Sequence, residues 1–153
     1  IHDKTLHAIR SGFTLSQFEQ AVSDLHKRNI PVITHLILGL PGETKEDMLS
    51  SVRYVGSLPV TGIKLQLLHI LKGTDLGTAY MADPFPLFTL EEYCDLIADC
   101  IALLPPEIVI HRLTGDGPRN LLLAPLWSTD KKRVLNTIQK CLRERDLWQG
   151  KNI

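Results

Sequence analysis

The chain has 153 residues, the size of one domain, and a chain this long buries on the order of two thirds of its unfolded surface. With 44% hydrophobic and 22% charged residues it is neither a disordered nor a collagenous chain, and its 17 basic residues cancel its 17 acidic ones, so there is no global polyelectrolyte footprint for nucleic acid. No apolar run nears the roughly 18 residues that span a bilayer and no leader pattern opens the chain, so no membrane partner and a cytoplasmic location are expected. Cys94, Cys100 and Cys141 are widely spaced with no CxxC pair, which predicts reduced, buried thiols rather than a disulfide framework.

In chain order, the opening "IHDKTLHAIRSG" reads as the continuation of something upstream, and the chain is expected to be a single domain, residues 1–153, cut from a longer protein. The first clear helix follows "FTLSQF": Thr14 can cap it with Gln17 three residues on, Phe13 and Phe18 have staple spacing, and Phe18, Val22 and Leu25 form the stripe. "IPVITHLILG" (30–39) is nearly continuous aliphatic and predicts a parallel strand covered on both faces. "GLPGETKED" follows, with Pro41 and Gly42 in the central positions of a type II turn, then Thr44 and Asp47 as a second cap pair before Met48, Val52 and Val55. Glu43 occupies the position where a staple residue would sit, so this helix entry faces water or a ligand.

"GIKLQLLHI" (62–70) alternates and predicts a strand with one wetter face. "FTLEEY" repeats the cap device with Thr89 and Glu92, Phe88 stapling to Tyr93; Leu90, Cys94, Ile97 and Ile101 face inward, and Pro105 and Pro106 stop the helix. "EIVIHRLTG" (107–115) is the third strand, and "WSTDKKRVLNTIQKCL" predicts a last helix starting at Ser128 or Thr129. Alternating helices and strands of this kind predict an α/β fold of parallel βα units.

Ligands of parallel sheets gather at the carboxyl ends of the strands, which here carry "GLPGE", "HILKGT" and "HRLTGDGPR". Taken by itself, "LPGE" is first a tight strand-to-helix joint; its helix start could also receive an anion.

"GLPGETKEDMLSSV" after an aliphatic strand, preceded by "LHAIRSGFTLSQFEQAVSDLHKRNIPV", resembles the second half of the radical S-adenosylmethionine (radical SAM) barrel. It is closest to the branch with oxygen-independent coproporphyrinogen oxidase and the elongator catalytic subunit. "HRLTGDGPRNLLLAPLWSTDKKRVLNTI" looks like the tail of a bacterial Fe–S oxidoreductase subfamily in that branch, some members of which are associated with wobble-uridine maturation in tRNA. The resemblance covers essentially the whole chain and implies a partial TIM-like barrel. It matches Arg10 to an arginine that contacts the methionine end of SAM, His35 to a strand position near SAM, and Ile37 and Gly39 to the adenine wall. Ile70 and Leu71 match the segment that packs on the adenine. His69, His111, Arg112, Asp116 and Arg119 are candidates for the substrate side.

The family's CxxxCxxC loop, which holds a 4Fe–4S cluster, does not occur here; Cys94 and Cys100 are six apart on a helix, and no metal ligands are assigned to this chain. The resemblance therefore implies an Fe–S enzyme that cleaves SAM to a 5′-deoxyadenosyl radical, with cluster ligands outside this chain and an electron donor protein as partner. It implies that this piece alone is inert. A tRNA is a candidate substrate, with Lys131, Lys132, Arg133, Arg143 and Arg145 available for phosphates or as a solvated helix face. Two other readings stay open: a nucleotide- or phosphate-binding α/β module without radical chemistry, and a structural half-barrel. A half-barrel exposes two sheet edges, through which the isolated chain is expected to dimerise.

Overall fold

Three threonines set the helix starts that organise the chain in the computed structural model, which describes residues 1–115 and 117–153. The elements run α1 Asp3–Ala8, α2 Leu15–Lys27, β1 Ile33–Leu38, α3 Lys45–Gly56, β2 Gly62–Leu67, β3 Ile70–Leu71, α4 Asp75–Ala82, α5 Leu90–Ala102, β4 Val109–Arg112, β5 Leu122–Ala124, a 3-10 turn Leu126–Thr129, and α6 Lys131–Glu144. Thr14, Thr44 and Thr89 each accept a hydrogen bond from the backbone N–H three residues on, and their own N–H groups donate to the side-chain oxygens of Gln17, Asp47 and Glu92. All three reciprocal boxes read from the sequence are therefore formed, each satisfying two helix-start donors.

β1, β2 and β4 form a parallel sheet in that order. Leu38, Ile63 and Leu65 are fully buried beneath Val52 and Val55 of α3 and Ile97 and Cys100 of α5. Burying a side chain of this size is worth about 1.5–3 kcal/mol, so the helix-covered face of the sheet is the main source of stability. Val134 and Ile138 of α6 join the same core from outside α5, and Tyr93 donates its hydroxyl hydrogen bond to the Leu113 carbonyl at 3.0 Å, fixing the end of β4 to α5. A smaller antiparallel pair, β3 with β5, closes over a second cluster of Leu68, Ile70 and Ala124.

Four features differ from the sequence expectations. β1 is not covered on both faces: Ile33 and Ile37 are 42% and 38% exposed, because the helices that build the core, α2, α3, α5 and α6, pack against the other face. The strand expected over 62–70 breaks after Leu67, where the backbone leaves the parallel sheet and Ile70 pairs with Ala124 instead. The third strand spans four residues rather than the nine expected. The last helix begins after Asp130, whose carboxylate accepts from the Arg133 N–H, while Ser128 and Thr129 sit in the 3-10 turn and bond back to Pro125 and Leu126. α1, α4 and β5 are too short to carry a readable period.

Candidate functional site

The uncovered face of the parallel sheet is built by alternation. In β2 the odd residues Ile63, Leu65 and Leu67 enter the core, which leaves Lys64 and Gln66 on the other side. In β1 the same rule puts Thr34 and Leu38 inward and Ile33, His35 and Ile37 outward. The register aligns Ile33 with Gly62 and Val109, His35 with Lys64, and Ile37 with Gln66. An irregularity after Ile63 brings Arg112, rather than His111, opposite Lys64. His111 lies against Gly62 so closely that a Cβ there would stand 2.7 Å from the imidazole, so glycine leaves room for the ring in its present position.

At the carboxyl end of β1 the chain turns as the sequence predicts: Gly42 has φ +84° and the Glu43 N–H donates to the Leu40 carbonyl at 3.1 Å, closing a turn with Pro41 and Gly42 at its centre. Gly39, with φ +90°, donates its N–H to Met48 Sδ, and a Cβ there would stand 3.2 Å from the Phe88 ring. Two clefts flank this turn and share Leu40 and Glu43. One, of about 350 Å³, is walled by Gly39, Leu67, Leu68 and Phe88; the other, of about 270 Å³, is walled by His35, Ile37, Leu38 and residues of α1. These volumes lie at the lower end of small-molecule sites, roughly 300–1,000 Å³.

The α3 start is electronegative. Glu43, Glu46 and Asp47 crowd it, and the hydrogen bonds from Thr44 hold the Asp47 carboxyl below the usual aspartate range. An anion here would meet three carboxylates and a helix start whose donors are partly taken, which disfavours phosphate at this end of the helix. Apolar walls beside one shared carboxylate, Glu43, suit a ligand with a flat aromatic part and a positive charge.

The other residues singled out in the sequence distribute as follows. Arg10, with φ +55°, pairs with Asp75 at 2.6 Å; both side chains are about four-fifths exposed, so the pair contributes little and the guanidinium is easily released. Asp75 opens α4 just after β3, so Arg10 and the Ile70–Leu71 segment share one rim. The Ile70 side chain is fully buried, and what that segment can present to a ligand is backbone and the half-buried Leu71. His69 packs its imidazole on the backbone of Gly115 and Gly117. Arg119 donates to the Thr129 carbonyl at 2.9 Å, tying its loop to the 3-10 turn rather than to the open face. Asp116 lies outside the described residues. Among the described residues no three His, Cys, Asp or Glu converge as metal ligands, and burial pushes the Cys94 and Cys100 thiols up to about 12. These residues do not fit a 4Fe–4S cluster, whose ligands are thiolates. No described helix is long and apolar enough to cross a membrane.

The family model of the radical SAM C-terminal domain matches residues 60–144, from just before β2 to the end of α6. The chain belongs to this radical SAM family. Among its relatives, the uncharacterised protein YtqA of Bacillus subtilis is 37% identical over 151 residues, covering 99% of this chain and 47% of its own length. A tRNA uridine(34) acetyltransferase of Dehalococcoides mccartyi is 26% identical over 155 residues, covering 95% of this chain and 34% of its own. The solved structure of the archaeal Methanocaldococcus infernus Elp3 with an N-terminal deletion superposes with a TM-score of 0.81 at 17% identity, covering 97% of this chain and 35% of that one, and shows the shared fold. The chain thus spans about half the length of curated relatives it matches.

The structure brings His35 and Ile37 of β1 and His111 of β4, named from the sequence as candidates for different roles, to the open face, with Lys64 and Gln66, which were not named as site residues, between them. Their signal was the alternation of "IKLQL", which marks the wetter face without saying what it looks onto.

Proposed function

We propose that the chain is the SAM- and substrate-facing half of a radical SAM Fe–S enzyme, a C-terminal piece of a longer cytoplasmic protein whose cluster ligands lie outside it. The observation that carries this is the pair of clefts around the β1–α3 turn, apolar with a shared carboxylate, at the carboxyl end of a parallel sheet in a radical SAM family chain. Bound SAM supplies the 5′-deoxyadenosyl group that takes hydrogen from a substrate. In this reading Ile37 and Gly39 form the adenine wall with His35 near SAM on the same strand, Ile70 and Leu71 approach it from the adjoining rim, and Arg10 leaves exposed Asp75 for the SAM carboxylate. His69, His111, Arg112 and Asp116 stay assigned to the substrate side, whereas Arg119, bonded to the Thr129 carbonyl, holds their loop in place. A tRNA uridine is the substrate favoured by the relative of that name, and an electron donor protein is the further partner.

The test uses the full-length protein, reconstituted without oxygen and given SAM and reductant, with 5′-deoxyadenosine read by chromatography. Product is expected from the full protein and none from the 153-residue chain alone. A fully loaded protein that makes none overturns the reading. Arg10→Ala should weaken SAM binding by about tenfold, the scale of one charge-assisted hydrogen bond; unchanged binding removes Arg10 from the site.

A further inference from the structure

Helix α6 holds Lys131, Lys132, Arg133, Lys140 and Arg143 against one carboxylate, Glu144, in a chain whose net charge is zero. Val134 and Ile138 of this helix enter the core, so the opposite face turns outward; it carries Lys132, Asn136, Gln139, Lys140 and Arg143 at helical spacing, with Arg133 beside them, all exposed. Lys132, Arg133 and Arg143 make no ion pair or side-chain hydrogen bond with any described residue. Lys140 pairs with Glu144 at 3.7 Å, but both side chains are about two-thirds exposed, and water screens such a pair enough for another anion to replace it. Lys131 has a partner of its own.

The first turn of α6 is an unfavourable place for cations. The positive end of a helix dipole favours acidic residues, which α3, α4 and α5 have in their first turns; α6 has none there and opens on three cations. These side chains therefore do not serve the helix, and an anion beside them relieves their mutual repulsion. Their position ties them to the candidate site. Pro125 and Phe88 wall one of the two clefts, and Trp127 donates its indole N–H to the Phe88 carbonyl at 3.0 Å. α6 starts directly after this turn and runs along α5, from Val134 beside Cys94 to Arg145 beside Asp99. The basic face thus begins near the rim of the cleft and leads away from it, over about 16 Å from Lys132 to Arg143.

We infer that the outward face of α6 is a docking surface for the phosphate backbone of an RNA whose reactive nucleotide lies at the cleft. Protein interfaces bury an apolar or aromatic centre and are poor in lysine. This face has no such centre: its cations alternate with the amides of Asn136 and Gln139, side chains of the kinds that hold phosphate oxygens. The inference deepens the proposed function, resting on its reading of RNA as the substrate.

The test measures binding of the full-length protein to a transfer RNA by fluorescence anisotropy over a range of salt concentrations. Replacing Lys132, Arg133 and Arg143 together by Gln should weaken binding about tenfold or more at low salt and lower the slope of log K against log salt by about 2–3, the scale of three phosphate contacts. A control with the same change of charge, Lys27→Gln, Arg28→Gln and Arg53→Gln on the exposed surface of α2 and α3, should keep the parental slope. Should the α6 triple variant unfold, the three single variants are read instead, each lowering the slope by about 1. No binding of the RNA by the parent, an α6 variant that binds like the parent, or an equal loss in the control overturns the inference. So does an α6 variant that keeps RNA binding but loses SAM cleavage when reduced by an acidic electron-donor protein and not by dithionite, which assigns the face to the donor. Binding of RNA through α6 without SAM cleavage sinks the proposed function and spares the surface; SAM cleavage with RNA binding indifferent to α6 sinks the surface alone.

Discussion

Asp99→Asn tests how the outer helices hold the site in place. Asp99 on α5 binds Lys45 of α3 and Arg145 at the end of α6, each at 2.5 Å, so one carboxylate joins three elements. Lys45 is the first residue of α3, directly behind the turn that separates the two clefts. Burial alone would raise the Asp99 pKa, but hydrogen bonds and charge from Lys45 and Arg145 outweigh it and hold the carboxyl below its ordinary value of 3.8. The Asp99 side chain is 17% exposed, while those of Lys45 and Arg145 are 56% and 37% exposed, so the cluster lies between a surface pair and a buried one. Arg145 keeps a contact to Asp95 after the substitution, and Lys45 loses its partner. The expected loss is about 1–2 kcal/mol, which for a chain of this size lowers Tm by about 2–8 °C. The sign with pH follows from the depressed pKa: the carboxylate's contribution is present above 3.8 and fades as pH falls through the folded value. Thermal unfolding by circular dichroism should therefore show a gap between parent and Asp99→Asn at pH 7 that closes well below pH 3.8. Equal Tm at neutral pH, or a gap that survives protonation, refutes the reasoning.

Two more expectations come from the sheet. Gly62→Ala puts a Cβ 2.7 Å from the His111 ring and 3.0 Å from the Val109 carbonyl, so stability should fall by about 1–3 kcal/mol, the usual range for overpacking; combining it with His111→Ala should recover part of the loss in thermal unfolding, and strict additivity would deny the contact. β1 and β4 are the edges of the parallel sheet, and the isolated chain is expected to dimerise through them, which gel filtration checks by elution at twice the monomer mass; a clean monomer refutes it.

Local chemistry made much of this chain readable in one dimension. The capping boxes of Thr14, Thr44 and Thr89 and the turn at Pro41 and Gly42 depend on residues three or fewer apart, so their sequence patterns carry the physics of their formation. The alternation in β2 likewise fixed which side chains enter the core, and the order of elements fixed the βα class. Tertiary structure decided the rest, because it depends on pairings between residues dozens of positions apart. The break after Leu67 follows from the competing partner offered by Ala124, and the exposure of Ile33 and Ile37 follows from the core-building helices lying against the other face of the sheet. The pairing of Arg10 with Asp75 spans 65 residues. Above all, the pairing of His35 with Lys64 and of Lys64 with Arg112 depends on inter-strand register and a single irregularity, which no local pattern carries.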